Sequence, residues 1–271
     1  MLTSGLLLLA LATSSKSQEA DAGCEPAELG EFKLGIGVKA AQLGSHAPVY
    51  RVTTPEITPT HAQEVAKRLF GLEGKAVKKG DMLLILTDHF WFSMDGKGAW
   101  RWADLDFMDG RISRKAPLPS GDEARIIADA WLKERGAFPA DARFLGAKAQ
   151  AGRVTVSYER VLDNIPHRGP GARLLVDVGS NSQVVTCIQA WPELVSMGER
   201  PLVGLHRAAA RVRDGKAILL TQVAGPLTEP KLVYACPPEK LAYIRPHACF
   251  NVGDGPGQVL IDLLPDMVNL E

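Results

Sequence analysis

The chain has 271 residues, of which 46% are hydrophobic and 23% are charged. This composition is typical of a globular chain with a substantial core, and it excludes a disordered or a membrane-embedded chain. Thirty-one basic residues balance thirty-one acidic ones, which leaves a formal net charge of zero. Because no excess of positive charge would attract nucleic acid, we expect no nucleic-acid partner.

The amino terminus has the features of a secretory leader. Residues 5–12 form an apolar run that is too short to span a bilayer but suits the core of a signal peptide. Ala10 and Ala12 supply the small residues of a cleavage site. We therefore predict a leader segment over residues 1–28 and an extracytoplasmic location for the mature chain.

The cysteines leave two questions open. Cys24 follows two small residues as in a lipoprotein anchor, whereas Asp21 stands where such a signal has an apolar residue. Membrane association is then at most peripheral or through a lipid. Cys236 and Cys249 either form a disulfide, which an oxidising compartment allows, or are two buried free thiols. No CxxC pair and no zinc-finger spacing occurs, so the sequence predicts no metal site.

A helix followed by antiparallel strands is predicted in the first half of the chain. Thr60 and Gln63 have the spacing of a capping box, and Gly71 ends the helix. Alternating strand patterns follow at residues 82–87, 90–93 and 99–103. The dipeptide Asp95-Gly96 predicts a tight hairpin turn in which the glycine takes a positive φ.

The same succession occurs again after the proline-rich residues 115–119, which predict a boundary. Ser120 and Glu123 form a second capping box, and Gly136 ends the second helix. Later patterns predict a third helix at residues 203–212 and strands at residues 143–149, 153–161, 174–178, 184–191, 217–223, 231–236, 242–244 and 259–264. The sequence thus predicts an α+β fold of two related modules, residues 29–115 and 116–271, each with a helix packed on an antiparallel β-sheet.

Aromatic residues concentrate on the predicted hairpin. Trp100 and Trp102 lie on one face of their strand, and Phe90 and Phe92 lie on one face of theirs, so that the pairs can meet across the hairpin. Such a stripe is either core or a platform for a ligand. An alternative function is therefore a carrier of a small apolar ligand, a peptide or a glycan in a groove between the modules, lined by Trp91, Trp100, Trp102 and Trp191.

The sequence contains no recognisable catalytic centre. It lacks the motifs of zinc metalloproteases, serine hydrolases, P-loop proteins and dinucleotide-binding proteins. The six histidines are isolated in sequence, and His167 or His247 would form a site only if folding brought it to an acid and a nucleophile. We expect no enzymatic activity and no cofactor, and an unrecognised hydrolase is the weakest alternative.

One stretch, residues 152–191, carries a family resemblance. Its parts are a strand, a turn, a glycine-bearing link and a second strand, namely Tyr158, Asn164-Ile165-Pro166, residues 169–171 and residues 174–178. This succession resembles the extracytoplasmic modules related to PepSY domains, and it is especially similar to the YycH/YycI-type accessory regulators of a cell-wall sensor kinase. The hairpin at residues 88–104 looks like a flanking hairpin of such proteins.

The resemblance implies a non-catalytic module that contacts another extracytoplasmic protein or restrains a peptidase or a kinase. Regulators of this type have an amino-terminal membrane helix, and here only the short run at residues 5–12 stands in that place. Binding outside the membrane therefore fits better than kinase control through membrane helices. The predicted binding surface consists of Trp91, Trp100, Trp102, Tyr158, Ile165, Pro166, His167 and Trp191.

Overall fold

The computed structural model describes residues 43–110, 117–204, 207–208, 210–211, 217–219, 227–236, 242–252 and 258–265. The predicted leader, the anchor candidate Cys24 and residues 115–116 of the predicted boundary lie outside the described residues. The predicted third helix lies partly outside them, and its described residues 207–208 and 210–211 are helical. None of the helices within these ranges is long and apolar enough to cross a bilayer.

Besides helical residues 207–208 and 210–211 and two short 3-10 helices, the described fold has three α-helices and sixteen strands. The helices are α1 (Pro59–Phe70), α2 (Leu105–Met108) and α3 (Gly121–Glu134). The strands are β1 (His46–Thr53), β2 (Val77–Lys79), β3 (Met82–Leu86), β4 (Phe90–Asp95), β5 (Trp100–Asp104), β6 (Ala142–Gln150), β7 (Arg153–Leu162), β8 (Ile165–Arg168), β9 (Arg173–Gly179), β10 (Val184–Ala190), β11 (Glu193–Pro201), β12 (Ala217–Leu219), β13 (Leu227–Ala235), β14 (Tyr243–Ile244), β15 (Pro246–Val252) and β16 (Gln258–Asp262).

Helix α1 begins earlier than the capping pattern predicted. Its N-cap is Thr58, whose Oγ1 accepts a hydrogen bond from the backbone N–H of His61 at 3.1 Å. Pro59 takes the first helical position, where its fixed φ suits the helix and its missing N–H leaves no donor unpaired. The predicted capping box of Thr60 with Gln63 is therefore wrong, because Thr60 already lies inside the helix.

The capping box of α3 is confirmed. The backbone N–H of Glu123 donates to the Ser120 hydroxyl at 3.3 Å, and the Glu123 carboxylate accepts from the Ser120 backbone N–H at 2.8 Å. Two backbone donors of the first turn are thereby satisfied reciprocally. Gly136 follows the helix with φ 62°, as its predicted role as a terminator requires.

The predicted hairpin forms between β4 and β5, but its turn differs from the prediction. The carboxylate of Asp95 accepts hydrogen bonds from the backbone N–H groups of Lys97 and Ala99, at 2.9 and 3.0 Å. The positive φ of 83° falls on Gly98 and not on Gly96. The aspartate side chain therefore organises a longer turn than the two-residue one that Asp-Gly indicated.

Eight strands of a thirteen-stranded sheet are ordered symmetrically, as β2-β3-β4-β5-β10-β9-β7-β6. At the centre β5 and β10 pair antiparallel, with Trp102 opposite Cys187. Each half has one helix that precedes its outermost strand, α1 before β2 and α3 before β6. The α+β class is confirmed, and the two predicted modules share one continuous sheet.

Both helices pack on the same face of this sheet, which we call the helix face. A row of opposed residues crosses it, comprising Phe92, Trp102, Cys187, Val176 and Val156. The ring of Trp102 lies 5.4 Å from that of Phe70 in α1 and 5.4 Å from that of Trp131 in α3. The aromatic stripe of the hairpin is therefore part of the core, since these contacts bury it under both helices.

Strand β8 joins the symmetric part to the carboxyl-terminal strands. It pairs in parallel with β13, with His167 opposite Tyr234, and the order continues through β15 and β16 to β12. Beyond this pair the backbone N–H of Cys236 donates to the carbonyl of Arg168 at 2.7 Å, and its carbonyl accepts from Gly171 at 3.0 Å. A separate sheet, β11-β1-β14, packs nearby through the edge-to-face contact of Tyr50 with Tyr234. Two strand pairs and a short backbone clip therefore hold the junction.

The strand register rules out a disulfide between Cys236 and Cys249, which was one of two alternatives. Cys236 and Cys249 are both buried free thiols. Cys249 lies opposite Lys231 in the β13–β15 pair, and five residues of extended chain separate Lys231 from Cys236, or about 16 Å. A disulfide needs Cα atoms within about 7 Å of each other. The alternative of two separate buried thiols is the one that the structure contains.

Candidate functional site: an arginine-lined pocket

The face of the sheet opposite α1 and α3, which we call the outer face, carries polar, charged and apolar side chains over β5, β10, β9, β7 and β6. One row of opposed residues across it comprises Gly146, Ser157, Leu175, Ile188 and Arg101. Arg101 is exposed, and the side chains of Ser157, Leu175 and Ile188 are half-buried. Antiparallel alternation places these residues on the face that α1 and α3 do not cover.

A buried carboxylate with three arginines around it occupies the next row. Glu159 of β7, only 5% exposed, lies directly between Arg143 of β6 and Arg173 of β9. Its Oε1 accepts hydrogen bonds from Arg143 Nε at 3.1 Å and Nη2 at 2.6 Å. Its Oε2 lies 3.3 Å from Nη1 of Arg168 but accepts no hydrogen bond from the described residues. Because a buried charge needs a partner, these contacts explain how the glutamate is tolerated there.

A pocket of about 150 Å³ opens beside this carboxylate. Its lining includes the carboxylate and two of its arginines, together with the apolar residues Leu145 and Leu175; the full set is Leu145, Ser157, Tyr158, Glu159, His167, Arg168, Gly169, Ala172, Arg173 and Leu175. The Arg173 guanidinium is exposed and makes no hydrogen bond or ion pair with any described residue. The pocket thus combines a surplus of positive charge with apolar walls.

His167 borders this pocket in β8, but strand pairing directs its imidazole to the opposite face of the sheet, toward Tyr234. The residue is 2% exposed, and its Nε2 has no hydrogen-bond partner among the described residues. Its Nδ1 lies 3.2 Å from Sγ of Cys236. Burial lowers the pKa of His167 to about 3 and raises the pKa of Cys236 to about 12. At neutral pH the pair is therefore an uncharged imidazole beside a thiol, without the thiolate that a cysteine nucleophile requires.

A second carboxylate on the outer face is fully engaged in structural contacts. Asp177 accepts hydrogen bonds from the hydroxyls of Thr155 and Thr186, at 2.5 and 2.6 Å, and lies 3.3 Å from Nε of Arg153. These four residues come from adjacent strands β7, β9 and β10. They tie the sheet together, and no carboxylate oxygen is left over for a ligand.

The eight residues of the predicted binding surface do not form one exposed surface. Trp100, Trp102 and Tyr158 are at most 7% exposed and belong to the core under α1 and α3. The prediction that four tryptophans line a groove between the modules is therefore wrong, because the helices enclose two of them. Strand alternation puts these side chains on one face of the sheet, and that face is buried because the helices pack on it.

The other members of that set lie apart. Trp191 is half-buried and donates its Nε1–H to Asp141 at 2.8 Å. Trp91 is half-buried on the outer face, where it lies opposite Ala103. Ile165 and Pro166 are half-buried in β8, next to His167 in the pocket. Of the eight predicted residues, the pocket takes in Tyr158 and His167.

The charged residues of the pocket were missed by sequence reasoning. Glu159 occupies a position where the alternation of β7 predicts a solvent-facing side chain, and it is buried because Arg143 and Arg168 cover it. Arg143, which donates to Glu159, lies sixteen residues before it in the sequence. The predicted strands that flank residues 151–152 would, as a regular hairpin, place Arg143 opposite Arg160. A bulge between Phe144 and Gly146 shifts the register by one residue and brings Arg143 opposite Glu159. Within the described ranges, no three histidine, cysteine, aspartate or glutamate side chains come together as metal ligands.

Comparison with known proteins gives distant structural neighbours only. No family model matches the chain, and no curated protein matches it. Among solved structures, the Bacillus megaterium YpeB C-terminal domain is similar with 14% identity and a TM-score of 0.40, over 77% of this chain and 94% of that one. An uncharacterized protein from Eubacterium rectale is similar with 12% identity and a TM-score of 0.38, over 80% and 82% of the two chains. TM-scores this low do not establish a shared topology, and the outer face is therefore the basis for inferring the function.

Proposed function

We propose that this chain is a non-catalytic extracytoplasmic binding protein whose outer face docks an acidic segment of a partner protein. The main support for this proposal is the positive charge of the outer face, since the chain as a whole has a formal net charge of zero. On strands β5 to β9 of the chain, the outer face presents six basic and two acidic side chains. The basic ones are Arg101, Arg143, Lys148, Arg153, Arg168 and Arg173, and the acidic ones are Glu159 and Asp177.

The excess of positive charge is available to a partner. Both acidic residues are at least nine-tenths buried and already paired with arginines on the same face. Arg101, Lys148 and Arg173 are exposed and make no ion pair with any other described residue. Basic side chains kept apart from acidic ones in this way attract and orient an acidic partner.

The dimensions suit an extended segment. Four strand spacings separate β5 from β6, so Arg101 and Lys148 are about 19 Å apart across the sheet. An extended peptide of about six residues covers that distance. The resemblance to PepSY-related extracytoplasmic modules supports a role in contacting another protein, and the leader-like terminus supports an encounter outside the cytoplasm.

The test is binding of defined peptides to the full chain. A fluorescent eight-residue peptide of alternating glutamate and threonine should bind and should weaken steeply as salt is raised, whereas the matching lysine–threonine peptide should not bind. The double variant R101E/K148E should weaken binding about tenfold, since each reversal converts an attraction into a repulsion.

A matched control carries the same charge change on the helix side. Arg68 on α1 and Lys133 on α3 are exposed, and both helices pack on the helix face. The double variant R68E/K133E should bind the acidic peptide within about twofold of the original chain. Equal losses in both double variants, or no binding of the acidic peptide to the original chain, would refute the proposed function.

A further inference from the structure

We infer that the arginine-lined pocket is a receptor for one side-chain carboxylate, that of a glutamate in the docked segment. This inference rests on the proposed function and names the group that anchors the partner. Glu159, Arg168 and Arg173 line the pocket, and Arg143 pairs with Glu159 from outside the lining, so the three arginines near this carboxylate leave two positive charges in excess. A single incoming carboxylate therefore enters a site that remains positive after it binds.

The arginines keep donors for such a group. Arg143 directs its Nε and one Nη to a single oxygen of Glu159, and Arg168 contacts the other oxygen through Nη1 alone. A guanidinium has five N–H donors, so Arg168, which lines the pocket, retains several. Arg173, which has no partner in the described part of the chain, can offer a carboxylate a paired, bidentate contact.

The interior of the pocket favours a group with a short apolar stem. Leu145, 53% exposed, and the half-buried Leu175 stand on either side of Ser157 in the lining. Two methylenes of a glutamate side chain would lie against them, while its carboxylate reaches the arginines. A volume of about 150 Å³ is larger than one water molecule requires.

The side chain of His167 takes no part in this recognition. Pro166 lies opposite Val161, on the same face of the sheet as Glu159, so strand alternation turns His167 to the other face, where it contacts Tyr234 and Cys236. The arginines therefore supply the donors for the incoming carboxylate.

The test compares pocket and rim in the full chain by calorimetric titration with the glutamate–threonine peptide. The variant R173Q should weaken binding tenfold or more, because charge-assisted bonds in a recess are lost. The variant R101Q removes one positive charge from the same face outside the pocket and should weaken binding about twofold to threefold. Melting curves of both variants check that each is folded.

Peptides with one glutamate replaced by glutamine locate the anchor. One of the four glutamine peptides should bind the original chain as weakly as the unmodified peptide binds R173Q. The same glutamine peptide should bind R173Q and the original chain equally well, because the contact with Arg173 is already lost. A second pocket variant, S157L, fills the recess with a side chain and should abolish the same difference.

The outcomes separate this inference from the proposed function. Equal effects of R173Q and R101Q, with all four glutamine peptides equivalent, would show binding by the face as a whole and overturn the pocket inference alone. No binding of the acidic peptide to the original chain would overturn both.

Discussion

The imidazole Nδ1 of His167 lies 3.2 Å from Sγ of Cys236, and this contact bridges β8 and the end of β13. The ring of Tyr234 stacks at an angle on the imidazole with its centroid 4.9 Å away. Burial lowers the pKa of His167 to about 3, with Arg160 adding to the shift and Asp141 opposing it. The junction between the symmetric sheet and the carboxyl-terminal strands is thus built on a histidine that must stay neutral.

Acid should therefore destabilise this junction. Unfolded chain binds a proton at His167 below about pH 6.5, whereas the folded chain does so only near pH 3, so the free energy of unfolding falls as pH decreases from 6.5. The loss should reach on the order of 2 kcal/mol at pH 5. Urea unfolding at pH 7.5 and pH 5 measures it. His247, whose pKa burial also lowers, adds a similar trend of its own.

The variant H167Q isolates the contribution of His167. Glutamine cannot take up the proton, so the difference in stability between pH 7.5 and pH 5 should shrink by about 2 kcal/mol relative to the original chain. H46Q replaces an exposed histidine and serves as the control. A pH difference in H167Q equal to that of the original chain would contradict the assignment.

Gly169 permits the backbone clip at the same junction. It has φ 112°, and a Cβ placed on it would lie 2.2 Å from the carbonyl oxygen of Cys236. Backbone atoms cannot yield as a flexible side chain would, so G169A should cost roughly 3 kcal/mol or more in the free energy of unfolding. Thermal and urea unfolding at pH 7.5 provide the measurement.

Gly136 supplies the matched control for that substitution. It also has a positive φ, 62°, but a Cβ there would meet nothing within 4 Å. G136A should therefore cost only the conformational strain, about 1 kcal/mol. If the two alanine variants were equally stable, the close approach of Gly169 to Cys236 would not be a constraint.

The core position of the hairpin tryptophans can be tested in the same way. Trp102 is 7% exposed, stacks on Phe70 and Phe90 and makes a tilted contact with Trp131, so W102A should cost about 3–5 kcal/mol. Trp91, on the outer face of the preceding strand and half-buried, should cost about 1 kcal/mol when replaced by alanine. Similar losses in W102A and W91A would argue against the assignment of faces.

Local signals in the sequence identified the elements, and contacts distant in sequence decided the site. Ser120 with Glu123 and the alternation around Tyr158 are readable because caps and strands depend on residues a few positions apart. The pairing of β5 with β10 joins residues more than eighty positions apart, such as Trp102 and Cys187. Period-two alternation gives two faces without saying which one the helices cover, and so the tryptophans were placed on a surface and the arginines were overlooked.

The start of α1 shows that even a local capping signal can be placed two residues away from the true N-cap. Both Thr58 and Thr60 precede apolar residues at helical spacing, and Pro59 between them decides the choice, because proline is favoured at the first helical position. T58A removes the acceptor of the His61 N–H bond and should cost about 1 kcal/mol. T60A replaces an exposed residue inside the helix and should change stability by less than about 0.5 kcal/mol, since alanine is the better helix former. Urea unfolding of the two variants at pH 7.5 distinguishes the two N-caps, and a larger loss in T60A than in T58A would restore the capping box with Gln63.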